Sequence, residues 1–360
     1  MGNYRHVNIL SNSTITTAGT TTKDINLKDV ISRLIFKWNV TAHSTPEAMA
    51  GHPSEAVEKI EIIDGSDVLT SLDGPEAMAF NYYDRGQVPQ SYINQVTNTQ
   101  SYFTTSIDFG RWLWDEQLAL DPNMFDNLQY KITYDKENMA ANAAAMYVTV
   151  MAECFDDKGV SPMGFLNREE HKTWTPANST TEYITLPTDQ AIRGIMTRGY
   201  SSDDHVRAQI HDVKITENHD KHVILDTDTR SYIADQFGEY PQIRETFIHT
   251  GDTTPEQHYV MPSYETYYNG VSTAAEDVFA STIEGCAIKV DVESGGNRVE
   301  GEVHGFIPHH CLWFPMGQHN NIDDWWGPER ESDLEIQTTA DSSVGSDPAG
   351  YVCLEQLRRY

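Results

Sequence analysis

Residues 57–74, VEKIEIIDGSDVLTSLDG, decide how the chain is read, because residues 212–228, DVKITENHDKHVILDTD, repeat their rhythm. Starting from Ile60 on Val213, the match runs without a gap through Ile62 on Ile215, Asp67 on Asp220, Leu72 on Leu225 and Asp73 on Asp226. In the first copy apolar residues alternate up to Asp64-Gly65 and resume at Val68. A period of two marks a strand with one buried face, and Asp-Gly favours the tight turn of a hairpin. The second copy has Glu217-Asn218 at the turn, a pair with similar turn chemistry. One hairpin has therefore been written twice.

The duplication extends beyond the hairpin. Upstream, Ile25 and Leu27 fall on Ile184 and Leu186, and Ile31 and Leu34 on Ile192 and Ile195; downstream, Leu128 falls on Leu334 and Tyr147 on Tyr351. Two short amphipathic stretches at matching places, 74–86 and 229–240, predict helices. The rest reads as short strands between turn formers, as in INLKDVISRLIFKWNV (25–40) and YITLPTDQAIRGIMTRGY (183–200). Many short strands that must hide their edges point to jelly rolls. The expected fold is all-β: two tandem eight-stranded jelly rolls with short helices in the connections. The first roll is expected over 24–160 and the second over 181–360, with a turn-rich linker at 161–180. Residues 1–23 contain no acid and include SNSTITTAGTTT, which predicts an extended or mobile N-terminal arm.

Composition narrows the function. With 360 residues and 39% hydrophobic content the chain builds sizeable cores. No run of 18 apolar residues and no secretory pattern occurs, so a soluble product is expected. The formal charge of -29 rules out a basic groove over most of the surface, and no direct contact with nucleic acid is expected. Cys154, Cys286, Cys311 and Cys353 lack metal or redox spacing and sit in apolar runs, which predicts buried free thiols.

Several clusters invite a chemical reading. HGFIPHHCLWF gathers His304, His309, His310 and Cys311, but adjacent histidines on a strand point to opposite faces and the spacing of a cupin metal centre is missing. Asp64, Asp67 and Asp73 carry oxygens suited to Ca²⁺ without the EF-hand spacing; a hairpin turn accounts for the first two, and structural Ca²⁺ at subunit contacts stays as a minor expectation. DDWWGPER sets Trp325 and Trp326 among Asp323, Asp324, Glu329 and Arg330, the makings of a sugar platform. GRWLWDEQLALDP carries Trp112 and Trp114 at the corresponding place, so the aromatics read as shared scaffold. A carbohydrate-binding or carbohydrate-active β-sandwich is the alternative, with a bicupin behind it. No residue is assigned to catalysis, cofactor or metal.

A geometric reason for the repeat is available: two rolls fused side by side form a wedge, and three wedges around an axis form six similar lobes. At this point FGR (109–111), GFLNREE (164–170), YITLPTDQAIRGIMTRGY and the terminal YVCLEQLRRY together resemble the double jelly-roll major capsid proteins of tailless icosahedral bacterial viruses with an internal membrane, the lineage that includes the adenovirus type. The resemblance implies a homotrimeric, pseudo-hexameric capsomer that tiles a shell, with vertex (penton) and minor membrane proteins as partners. It implies no catalytic residues, location in the virion, and assembly in the host cytoplasm. The N-terminal arm is expected to touch the inner lipid membrane or a neighbouring subunit; it lacks the Ser or Thr that myristoylation needs at position 6. Only modest insertions are expected, the longest being a Tyr-rich exposed loop at 249–279.

Overall fold

The computed structural model describes residues 4–42, 49–96, 98–139, 143–156, 159–250, 256–274, 277–283, 285–292, 296–330 and 332–360. The first roll is built from β1 (Tyr4–Ile15), β2 (Ala18–Asp24), β3 (Ile31–Thr41), β4 (Val57–Asp64), β5 (Asp67–Leu72), β6 (Ser91–Asn94), β7 (Gln100–Asp108), β8 (Leu128–Asp135) and β9 (Ala145–Phe155). One of its sheets runs β1-β9-β3-β7-β6 and the other β2-β8-β4-β5. Successive strands thus pass back and forth between two facing sheets, as a jelly roll requires. The helix α1 (Gly74–Arg85) leads from β5 towards β6.

The second roll repeats this order. β10 (Gly164–Trp174), β11 (Thr181–Leu186), β12 (Ala191–Tyr200), the single-turn helix α2 (Val206–Gln209), β13 (Asp212–Glu217), β14 (His222–Asp228) and helix α3 (Thr229–Gln236) come first. An insertion follows: β15 (Ile243–Thr250), β16 (Glu256–Tyr259), β17 (Pro262–Ser272), β18 (Val278–Ile283), β19 (Ala287–Val292) and β20 (Arg298–Pro308). The roll closes with β21 (Cys311–Pro315), β22 (Leu334–Thr339) and β23 (Ala349–Arg359). Its sheets are β10-β23-β12-β21 and β11-β22-β13-β14, the same pattern as the first.

The repeat read from the sequence falls on equivalent strands. The hairpin β4–β5 matches β13–β14, Leu128 and Leu334 open β8 and β22, and Tyr147 and Tyr351 lie in β9 and β23. One pairing slips: Asp73 caps α1, but the residue that caps α3 is Asp228, two positions beyond Asp226. All four cysteines are free and buried, as expected.

Three boundaries are corrected. Residues 4–24 are not an arm outside the roll, since β1 pairs with β9 from Tyr4↔Phe155 to Ile15↔Met146 and β2 pairs with β8 from Ala18↔Asp135 to Asp24↔Gln129. Polar Ser/Thr runs mislead here because both are edge strands with one wet side, and only Ile15, with help from Val7, Ile9 and Leu10, reaches the core. The linker at 161–180 contains β10, the first strand of the second roll, paired along its length with β23. The long loop at 249–279 is part of an insertion of six strands with its own apolar cluster, including Phe247, Val260, Ile288, Val290 and Val303.

Candidate functional site: the joint between the rolls

The two rolls are fixed against each other at a joint built from both. Two parallel pairings weld them. β5 meets β10 at Ser71↔Glu169, and β6 meets β15 from Tyr92↔Thr246 to Asn94↔Ile248. Each weld makes one continuous eight-stranded sheet out of parts of both copies. Parallel partners need a long connection, and here each pair joins strands from different copies, far apart in the chain.

The helix α1 fills the angle between them. It starts with a capping box: the Asp73 carboxylate accepts from Glu76 N at 2.6 Å and the Glu76 carboxylate accepts from Asp73 N at 3.0 Å, with Pro75 in the first turn. It ends at Gly86, whose φ of 57° suits a residue without Cβ. Every residue from Gly74 to Tyr83 is buried, unlike the half-exposed α3, because α1 is covered by both halves. Phe80 packs edge-on to Trp313 at 5.8 Å, Tyr83 donates to Cys311 O at 2.6 Å and Tyr82 to Pro241 O at 2.7 Å.

Asp84, on the last turn of α1, carries the joint's electrostatics. Its Oδ2 lies 2.6 Å from Arg168 Nη2 on β10 and its Oδ1 2.7 Å from Arg193 Nη1 on β12. Glu355 on β23 closes the square, at 2.7 Å from Arg168 Nε and 2.5 Å from Arg193 Nη1. No side chain of the four is more than 3% exposed. Burial alone would raise the Asp84 pKa, but Arg168 and Arg193 outweigh it and hold the carboxyl far below its ordinary range. Two cations against two anions leave the square neutral, and Arg168 also donates to Asp108 O of the first roll. The desolvation cost of such a network offsets much of its Coulombic gain. Removing one member is a different matter. Asp84→Ala leaves two buried guanidiniums with a single carboxylate and is expected to cost about 3–5 kcal/mol, read as a lower urea midpoint at pH 7; a change below about 1 kcal/mol would show that water screens the square.

A second polar lock sits where the insertion meets the first roll. Glu245 on β15 lies 2.9 Å from His52 Nε2 and accepts from Met261 N at 2.7 Å and from the Ser91 hydroxyl. His52 Nδ1 lies 2.7 Å from Ser54 Oγ. Arg198 on β12 reaches back to Asp73 at 2.7 Å and Glu55 at 2.8 Å.

FGR marks the same joint. Leu166 N on β10 donates to Phe109 O at 2.9 Å, and a side chain at Gly110 would meet Leu118 O at 2.4 Å, so only glycine fits there. Arg111 bonds Asp115 at 2.7 Å. Neither Asp84, Glu245 nor His52 stood out in the sequence. The signal available was a charge inside an apolar strand, as with Arg193 in AIRGIM and Glu355 in YVCLEQ.

The remaining clusters resolve separately. His309 and His310 do not alternate on a strand: they form the turn from β20 to β21, with φ of 48° and 62°, and both are buried. Among the described residues no three His, Cys, Asp or Glu side chains converge as a metal site. Asp64 accepts from Asn127 N at 2.6 Å, Asp67 pairs with Arg358 and Asp73 caps α1, so these carboxylates face different partners. Trp325 and Trp326 are no platform, since each is 2% exposed; their ring nitrogens donate to Gln318 O at 3.0 Å and Glu217 Oε2 at 2.8 Å. A groove of about 790 Å³ does lie beside Trp325, flanked by Asp189, Asp323, Glu329 and Arg358. Trp112 is 47% exposed under the Arg111 guanidinium, which sits 4.3 Å from its ring.

No family model and no curated protein matches the chain in sequence. Solved structures match it over its whole length. The crystal structure of the STIV MCP superposes with a TM-score of 0.62 at 9% identity, covering 100% of this chain and 98% of that one. PBCV-1 VP54, as fitted into a reconstruction of the virophage Sputnik, gives 0.58 at 8% identity over 99% and 94%. The major capsid protein P2 from bacteriophage PM2 gives 0.55 at 11% identity over 99% and 98%. At such identities the likeness speaks of architecture, and it spans both copies and the joint: the chain has the double jelly-roll fold.

Proposed function

We propose that the chain is the major capsid protein of a tailless icosahedral bacterial virus with an internal membrane. Three copies close into a pseudo-hexameric capsomer, and capsomers tile the shell. The observation that carries this reading is the joining of two like rolls through both sheets and a neutral buried square, which makes one wedge with two similar lobes. The near-complete mutual coverage with the STIV MCP and PM2 P2 supports it, because neither large extra domains nor missing parts separate the chains. Work of this kind needs contact area and no bond chemistry.

Vertex and minor membrane proteins are the further partners, and the virion, assembled in the host cytoplasm, is the site of action. The end of the molecule bearing both termini faces the membrane. There the Tyr4 ring lies tilted against Trp114, with centres 4.3 Å apart, and the Tyr360 hydroxyl donates to Ala119 O at 2.7 Å, with Trp112, Met124 and Met163 exposed nearby. Light scattering after size exclusion tests the reading: three times the chain mass is expected, and a monomer at micromolar concentration contradicts it.

A further inference from the structure

A pocket of about 310 Å³ opens where the insertion lies on the second roll. It brings together Arg207 of α2, Arg230 of α3, Tyr264, Glu265 and Thr266 of β17, and Thr282 of β18. Most arginines elsewhere hold carboxylates, as at Arg33, Arg85, Arg111, Arg168, Arg193 and Arg198, although among the described residues Arg244 and Arg359 do not. Among the described residues neither Arg207 nor Arg230 forms an ion pair or side-chain hydrogen bond, in a chain where acids outnumber bases 54 to 25. Asp341 senses Arg207 from a distance without pairing with it. The Tyr264 and Thr282 hydroxyls have no partner among the described residues either, while Thr266 keeps its acceptor lone pairs after donating to Pro262 O at 3.2 Å. His205, at the rim, is occupied with Asp204.

The backbone is bent to make this arrangement. The β17–β20 ladder breaks between Tyr264 and Tyr267, and Glu265 stands at φ 48°, a left-handed conformation uncommon outside glycine. A bulge of this kind re-aims side chains at a sheet edge. Here Tyr264, Glu265 and Thr266, at that break, line the pocket together with Arg207 of α2 and Arg230 of α3.

Two guanidinium forks are matched to a carboxylate by shape as well as charge. Hydroxyls and one acid around them suit the alternating donors and acceptors of a sugar ring, and Tyr264 offers a ring face. The volume lies at the small end of ligand pockets, roughly 300–1,000 Å³, with room for about one sugar ring and its charged group. We propose that this pocket binds a carboxylate-bearing sugar, with Arg207 and Arg230 on the carboxylate and Tyr264, Thr282 and Glu265 on the ring hydroxyls. The proposal does not depend on shell assembly, so it stands or falls apart from the capsid reading.

Titrating the full chain with glucuronic acid, glucose and acetate, followed by ligand-observed NMR, provides the test. Glucuronate is expected to saturate at millimolar concentration and to bind at least tenfold more tightly than either control. Arg207→Gln and Arg230→Gln are each expected to lose tenfold, with an unchanged far-UV spectrum, and Thr282→Val about threefold. Since Arg230 is exposed, its variant keeps the test alive if α2 does not tolerate the other. Absence of saturable glucuronate binding, equal binding of glucose or acetate, or full binding by Arg230→Gln would each overturn the proposal.

Discussion

Deletion of residues 1–24 is expected to leave no soluble, folded chain. The cut removes β1 and β2, the outer strands of both sheets of the first roll. β9 then presents an unpaired row of backbone groups along Ala145–Phe155, and β8 does the same along Leu128–Asp135. Long open edges on alternating apolar strands are templates for aggregation, and Met146, Val148, Val150 and Ala152 lie just behind the first of them. The core also loses Ile15 and the partial cover of Val7, Ile9 and Leu10. Expression of the truncated chain is expected to give insoluble material, with any soluble fraction melting at least ten degrees lower, on the order expected for losses of several kcal/mol. A soluble truncated protein with native spectrum and stability would mean that these strands are dispensable, as an arm would be.

Acid is expected to remove most of the stability between pH 6.5 and 4. Burial depresses His249 to about 4 and His258 to about 3, the latter helped by its neighbour, whose ring centre is 4.8 Å away. Burial and then Arg198 depress His310 to about 3. An unfolded imidazole titrates near 6.5, so below that pH the unfolded chain binds more protons and stability falls as pH falls. At pH 4 each group costs about 3 kcal/mol, so together roughly 10 kcal/mol, comparable with the 5–15 kcal/mol of a whole domain. Asp84 and Asp108, held below their ordinary range, add loss in the same direction at still lower pH. Asp73, pushed up by burial, opposes it in part. Urea midpoints at pH 7, 5.5 and 4.5 check this: a steep decline is expected, and a flat profile would require the histidines to find water or partners on protonation.

The repeat was legible because strands keep a period of two whatever surrounds them. Ile60, Ile62, Val213 and Ile215 are all buried, and their hairpins occupy equivalent places. What surrounds a strand was harder to read. β1 and β2 look like a polar arm since an edge strand in a solvated sheet needs few apolar residues. β10 hid in a linker because its last residues, from Glu170 onward, are wet or half-buried, while Gly164–Arg168 are buried. The joint depends on groups far apart in sequence, Asp84 with Arg193 and His52 with Glu245, and no local pattern encodes a pairing across 109 or 193 residues. Trp325 and Trp326 show the limit from the other side: an aromatic pair among acids looks like a platform until its burial is known.

Electron cryo-microscopy of the purified chain tests the central claim most directly. Class averages down the principal axis are expected to show a three-fold particle with six lobes, alternating between first and second rolls at equal radius. A monomer, a two-fold dimer, or a ring in which the lobes of the two rolls lie at different radii would contradict the account.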